Sequence, residues 1–150
     1  LVGSEMCIRD SQDSGQNDIV FMNEYIEKSE YKQRISILPP YIGAAKTKGY
    51  IQQMDLLIAA RMHCCVGGIS VATPTLFVTY SNKGIGMSFY AYGHHNFEVK
   101  VSELLTSKFM DLITSMLMQK VEIKHYLELQ QKRFVQDAMN SGKYLKELFS

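Results

Sequence analysis

Cysteine is scarce in this chain, and its placement argues against a disulfide scaffold. Of the three cysteines, Cys64 and Cys65 are adjacent and Cys7 lies far from both. Neighbouring cysteines rarely bond each other, so the usage suits a reducing cytoplasm. No CxxC or similar metal spacing occurs, and no metal site is expected. Long hydrophobic runs are missing too. The most apolar stretch, Leu56 to Val71, is broken by Arg61, His63 and a glycine pair. It falls short of the ~18 or more residues that span a bilayer, so no transmembrane segment is expected. Charge of one sign is also absent: the formal net charge of +1 gives no electrostatic case for nucleic acid. There is no GxGxxG, no Walker loop, no internal repeat and no low-complexity linker. What remains, 46% hydrophobic and 21% charged over 150 residues, is the composition of one globular domain with a real core.

The beginning behaves differently from the rest. LVGSEMCIRDS has neither a helical nor a strand period and lacks the basic start and apolar stretch of a signal peptide. Residues Glu5 to Ser11 read as the in-frame translation of a transposon-type sequencing adapter; a disordered natural N-terminus is the alternative. Residues 1–16 are therefore set aside from fold reasoning, with 17–100 expected as an α/β lobe and 101–150 as C-terminal helices packing on it.

From Asn17 the pattern becomes regular. Asp18 is placed to cap a helix whose face carries Ile19, Phe21, Met22, Tyr25 and Ile26. Arg34 to Leu38 alternates and stops at Pro39-Pro40, which predicts a short strand. Ala44 to Gln53 reads as a helix. Met54 to Ala60 is a continuous apolar run broken only by Asp55, as a buried parallel strand requires. Met62 to Ala72 reads as a small-residue helix closed by Pro74, and Thr75 to Tyr80 as the next buried strand. Ser81 to Gly86 is expected as a glycine-bearing loop before a weak helix to Tyr92, and Phe97 to Val99 as a last short strand. The tail predicts a helix from an N-cap at Ser102 to Met118, another over Val121–Met139, a stop at Asn140-Ser141-Gly142, and a short helix at Tyr144–Phe149. Strands alternating with helices imply a Rossmann-like parallel sheet with helices on both faces.

In such folds ligands bind beyond the carboxyl ends of the strands. One predicted strand ends in Ala59-Ala60-Arg61-Met62-His63, directly before a helix. A guanidinium there can grip a carboxylate or phosphate with two parallel bonds, in a field that already favours anions. An imidazole two positions on can donate a hydrogen bond or move a proton. The alternative is structural: Arg61 pairs with Asp55 or a helix end, and His63 is a satisfied interior histidine. The next strand ends in Tyr80-Ser81-Asn82-Lys83-Gly84-Ile85-Gly86, where glycine amides and Lys83 can cradle an anion; a surface turn is the alternative. His94 and His95 read as solvated loop residues.

Together, Met54 to His63, Gly68-Ile69-Ser70, Thr73-Pro74-Thr75 and Tyr80-Ser81-Asn82-Lys83-Gly84 resemble the C-terminal signature of polysaccharide pyruvyl transferases. Order and spacing agree over about thirty residues, and the flanks from Asn17 to Gln130 agree more loosely. Cys64-Cys65 depart from the smaller residues usual after R-x-H. A nucleophilic cysteine is rejected, because buried helix thiols are inert. The resemblance implies the C-terminal lobe of a GT-B-like enzyme whose N-terminal lobe is missing here. It implies phosphoenolpyruvate as donor substrate, a sugar or polysaccharide acceptor and no separate cofactor. It further implies Arg61 and His63 at the donor site, with His63 as the catalytic candidate, and Ser81, Lys83 and Gly84 as further binding candidates. Two other readings compete with it: a nucleotide-sugar glycosyltransferase lobe, and a non-catalytic α/β domain.

Overall fold

Strand β2, Thr75–Thr79, is the centre of the molecule, and all five of its residues are buried. The structure is a computed structural model; it describes residues 18–39 and 42–148, and the side chains of residues 20–39 and 42–140. Parallel neighbours flank β2. Strand β1, Leu57–Ala59, pairs Leu57 with Thr75 and Ala59 with Phe77; strand β3, Glu98–Lys100, pairs Glu98 with Phe77 and Lys100 with Thr79. A central parallel strand covered on both faces cannot alternate polar with apolar, which is why TLFVT is nearly all apolar or β-branched. The strand order is β1-β2-β3. Helix α3, Met62–Ser70, joins β1 to β2, and helix α4, Asn82–Tyr92, joins β2 to β3. The expected α/β class, a parallel sheet wrapped by helices and followed by C-terminal helices, is what the chain forms.

Side-chain parity sorts the sheet into two faces. A Cβ at Gly68 of α3 would meet Thr75 and Leu57, and one at Gly84 of α4 would meet Thr79. Phe77 packs edge-on against Tyr92 of α4. Leu57, Thr75, Phe77 and Thr79 therefore look toward α3 and α4. Leu76, Val78 and Val99 look the other way and are buried, whereas Ile58 on the edge strand is 41% exposed. Helix α3 ends in a Schellman motif: the Thr73 amide donates to Gly68 O at 2.9 Å and the Ala72 amide to Ile69 O at 3.0 Å. Ala72 takes the left-handed position there, with φ +57°. The helix is thus closed two residues before Pro74.

Two helices follow β3: α5, Ser107–Met118, and the long α6, Lys120–Leu148. They add Met116, Ile123 and Leu127 to the core. In α6, Gln131 Nε2 donates to Ile69 O (2.8 Å), Tyr126 to Tyr92 O (3.1 Å) and Arg133 to Tyr90 O (2.7 Å). At its start, Lys120 Nζ reaches Asp55 at 2.8 Å. Every one of these anchors lies where strands begin or where α3 and α4 end. Helix α6 is therefore held at the amino edge of the sheet.

Four expectations are corrected. Residues 35–39 form no strand: after a 3₁₀ turn at Lys32–Arg34, Ile35 is extended (φ −112°, ψ 132°), but no described strand pairs with the segment. Ser81 to Gly86 is not a loop, because α4 begins at Asn82. Helix α5 starts at Ser107 rather than after Ser102; Val101–Glu103 is a separate 3₁₀ turn, closed by Glu103 accepting the Lys100 amide at 3.0 Å. Helix α6 runs through Asn140-Ser141-Gly142 without a break. The earlier helices are α1, Asp18–Glu27, and α2, Ala44–Ile51. The readings for residues 1–16 and for the Asp18 side chain fall outside the described parts.

Candidate functional site

Arg61 stands two residues beyond β1 and is the N-cap of α3, with extended backbone (φ −86°, ψ 128°). Its carbonyl receives the amides of Cys64 (3.0 Å) and Cys65 (3.1 Å), so its main chain sets where the helix begins. Its side chain makes no capping bond, and the first turn of α3 contains no acidic residue. The positive end of the helix is thus not met by an acid of its own first turn. Arg61 is half-buried and His63, in that same turn, is exposed. That exposure excludes the interior-histidine alternative. The positive charge of Arg61 pulls the Cys64 thiol down, but burial outweighs it and leaves the thiol raised. Burial pushes Cys65 up to about 12, and its Sγ lies 3.4 Å from Ala59 O, tying α3 to the strand it follows. Both thiols are protonated packing groups.

The second strand end repeats this arrangement. Ser81 stands two residues beyond β2 and is the N-cap of α4, again extended, with no side-chain cap and no acid in the first turn. Its carbonyl takes the amides of Gly84 (3.1 Å) and Ile85 (3.4 Å). Asn82 and Lys83 are exposed in the first turn, and Tyr80 just before them is 73% exposed. Gly84 has a packing role here, since a Cβ on it would lie 3.3 Å from Thr79 Cγ2. Because β1 and β2 are parallel neighbours, Arg61, His63, Ser81 and Lys83 all belong to one sheet edge, the carboxyl edge. Two helix N-termini lie side by side there.

A sequence model of one family, polysaccharide pyruvyl transferase, matches residues 6–82, just over half of the 150-residue chain. The chain belongs to the polysaccharide pyruvyl transferase family. The match covers Arg61, His63 and Ser81; Lys83 and Gly84 lie just past it. It also takes in residues 6–16, most of the stretch set aside in the sequence reading. Searches of curated proteins and of solved structures gave no match.

In this pyruvyl transferase chain the remaining candidates are committed elsewhere. Asp55 stands before β1 at the amino edge and binds Lys120. Glu98 opens β3, also at the amino edge, and its Oε1 lies 3.2 Å from His95 Nδ1. His94 is not simply solvated: its ring stacks on Tyr92 (5.8 Å) and meets Phe97 edge-on (4.9 Å). His95 stacks on Phe89 at 5.0 Å. Glu103, just past β3, is held by the Lys100 amide and by Lys108 Nζ at 2.6 Å, and these donors keep its carboxyl below the usual range. Among the described residues no group of three His, Cys, Asp or Glu side chains could hold a metal ion. No helix among them is long and apolar enough to cross a membrane.

The sequence reading missed the Tyr92 hydroxyl. It accepts the Thr75 amide (2.9 Å) and donates to the Thr75 carbonyl (3.0 Å), fixing the start of the central strand. A tyrosine eleven residues beyond Ser81 carries no local signal of such a role. The sequence also gave no sign of a groove at the amino edge, because its walls come from segments more than sixty residues apart.

Proposed function

We propose that this chain forms the donor side of an enzyme that transfers a pyruvyl group from phosphoenolpyruvate to sugar hydroxyls of a polysaccharide. The observation that carries the reading is the twin arrangement of Arg61 and Ser81. Each is the N-cap of a helix following one of two adjacent parallel strands, and neither first turn holds an acid. A small polyanion with a carboxylate and a phosphate suits an edge with a guanidinium, an ammonium and two sets of helix-terminal amides. Nucleotide-sugar binding is less well supported, since Asp55 and Glu98 lie at the opposite edge and Glu103 is occupied.

A proton is added to the methylene carbon of phosphoenolpyruvate, and a sugar hydroxyl adds to the adjacent carbon and gives up its proton. The C–O bond to phosphate then breaks, and a second hydroxyl attacks the same carbon and passes its proton to the departing phosphate, which closes a cyclic ketal and releases hydrogen phosphate. Arg61 holds the donor's carboxylate or phosphate. His63, exposed in the first turn of α3, donates a hydrogen bond or the proton as charge develops. Ser81 and Lys83 serve the second anionic group, and Gly84 holds the helix carrying them close to β2. The base for the acceptor hydroxyl is assigned to a second, GT-B-like lobe across the carboxyl edge, where the exposed Tyr80 ring offers a contact. The protonated, unpaired thiols of Cys64 and Cys65 suit a cytoplasmic setting.

Titration of the protein with phosphoenolpyruvate and, in parallel, with a uridine diphosphate hexose tests the reading. Arg61→Ala should weaken phosphoenolpyruvate binding at least tenfold, as loss of a charge-assisted pair of bonds would. Unchanged affinity, or a preference for the nucleotide sugar, would refute it.

A further inference from the structure

We propose that the groove at the amino edge of the sheet binds a neutral oligosaccharide. The groove lies between the end of α2, the entry to β1 and the first half of α6. It consists of two open concavities of about 590 and 360 Å³ that meet at Gln53, Met54 and Asp55. Both volumes fall in the range of small-molecule sites, roughly 300–1,000 Å³.

Its lining fits a sugar better than an ion. Met54, Pro74 and Val121 supply apolar surface in the larger part, with the Tyr50 ring, 44% exposed, at the far end of the smaller. Around them stand planar hydrogen-bonding groups: Gln52, Gln53, Asp55 and Glu128. Gln53 donates one amide N–H to Gly49 O (3.1 Å), which leaves its oxygen to accept and a second N–H to donate. The two lysines of the wall, Lys120 and Lys124, match its two carboxylates, Asp55 and Glu128; Lys120 Nζ lies 2.8 Å from Asp55, and the His125 ring lies 3.9 Å from Glu128. A site without net charge selects neither phosphate nor polyanion, whereas amides and carboxylates beside apolar patches match the hydroxyl rim and C–H faces of a sugar.

The position has a functional sense. Asp55 and Arg61 are six residues apart with β1 between them, at most roughly 20 Å at ~3.3 Å per residue. A polymeric substrate held at one edge can reach the other. The inference does not depend on which donor binds at Arg61.

The test is amide-shift titration of the protein with neutral hexasaccharides (α- and β-linked glucans, a galactan and a mannan), with inorganic phosphate and dextran sulfate as comparison probes. We expect at least one hexasaccharide to move the amides of Tyr50, Gln53 and Lys124. Tyr50→Ala and Glu128→Ala, both at exposed positions, should each weaken that binding at least fivefold, while Arg61→Ala leaves it within twofold. The proposal is overturned if no hexasaccharide moves these amides, if phosphate or dextran sulfate does so preferentially, or if the groove instead mediates concentration-dependent self-association.

Discussion

At the scale of single residues, the main chain and the side chain of one position do separate work. Arg61 and Ser81 each give a carbonyl to start a helix, which leaves the guanidinium and the hydroxyl without a capping duty. This is why functional candidates gather where strand turns to helix: the start of the helix is set by the backbone carbonyl there and not by a side-chain cap. Tyr92 is the reverse case, a side chain spent wholly on structure. Burial keeps its hydroxyl well above the usual tyrosine range and hence protonated. Its oxygen satisfies both the amide and the carbonyl of Thr75, a fully buried residue. Tyr92→Phe strands that amide without its partner. The expected cost is about 1–3 kcal/mol, read as a fall in thermal midpoint of about 2–4 °C per kcal/mol for a chain of this size. An unchanged midpoint would show that Tyr92 acts only through its ring.

At the scale of elements, what the sequence reveals depends on whether the cause is local. β2 was legible because burial on both faces imposes a continuous apolar run, which needs no knowledge of neighbours; β1 carries such a run too, although Ile58 on this edge strand is exposed. The segment at residues 35–38 shows the limit. Ile35 is extended, but a strand also needs a partner, and that is decided elsewhere in the chain. The start of α4 shows another. Gly84 and Gly86 read as loop residues because glycine costs a helix about 1 kcal/mol relative to alanine. At Gly84 that cost is offset by close approach to Thr79, a tertiary fact. Gly142 read as a stop, yet the helix continues through it, whereas Gly93 does end α4 at φ +74°. Of the candidate site, Arg61 and His63 could be read from their place after an apolar run, while the helical setting of Lys83 and Gly84 could not. The two glycines that face the sheet should respond differently to alanine. At Gly68 a Cβ would lie 2.4 Å from Thr75 Oγ1 and 2.6 Å from Leu57 Cδ2. Gly68→Ala is therefore expected to destabilise by about 1–3 kcal/mol. At Gly84 the nearest contact is 3.3 Å and the gain in helix propensity opposes it, so Gly84→Ala should change the thermal midpoint little. Equal losses at the two sites would contradict the packing argument.

At the scale of the whole molecule, the two edges of one sheet divide the tasks. The amino edge is strapped by α6, whose Ile123 and Leu127 enter the core and whose Gln131, Tyr126 and Arg133 close the ends of α3 and α4. The carboxyl edge carries Arg61, His63, Ser81 and Lys83 on two helix starts. Parallel topology makes this separation possible, because each strand delivers its last residue to one edge and each crossover helix returns its last turn to the other. Damage to the strap should therefore cost stability without altering the carboxyl edge, the donor edge proposed above, of those molecules that remain folded. Leu127 is fully buried. Leu127→Ala should destabilise by about 2–5 kcal/mol, a large part of the ~5–15 kcal/mol typical of a whole domain. Leu127→Met, which nearly conserves volume, should cost less than about 1.5 kcal/mol. Phosphoenolpyruvate affinity measured well below the midpoint should stay within twofold of the parent for both variants, although their thermal midpoints differ by several degrees. If affinity falls in step with stability, the edges are coupled through α3, which starts at Arg61 and gives its Ile69 carbonyl to Gln131, and the division of tasks would have to be abandoned.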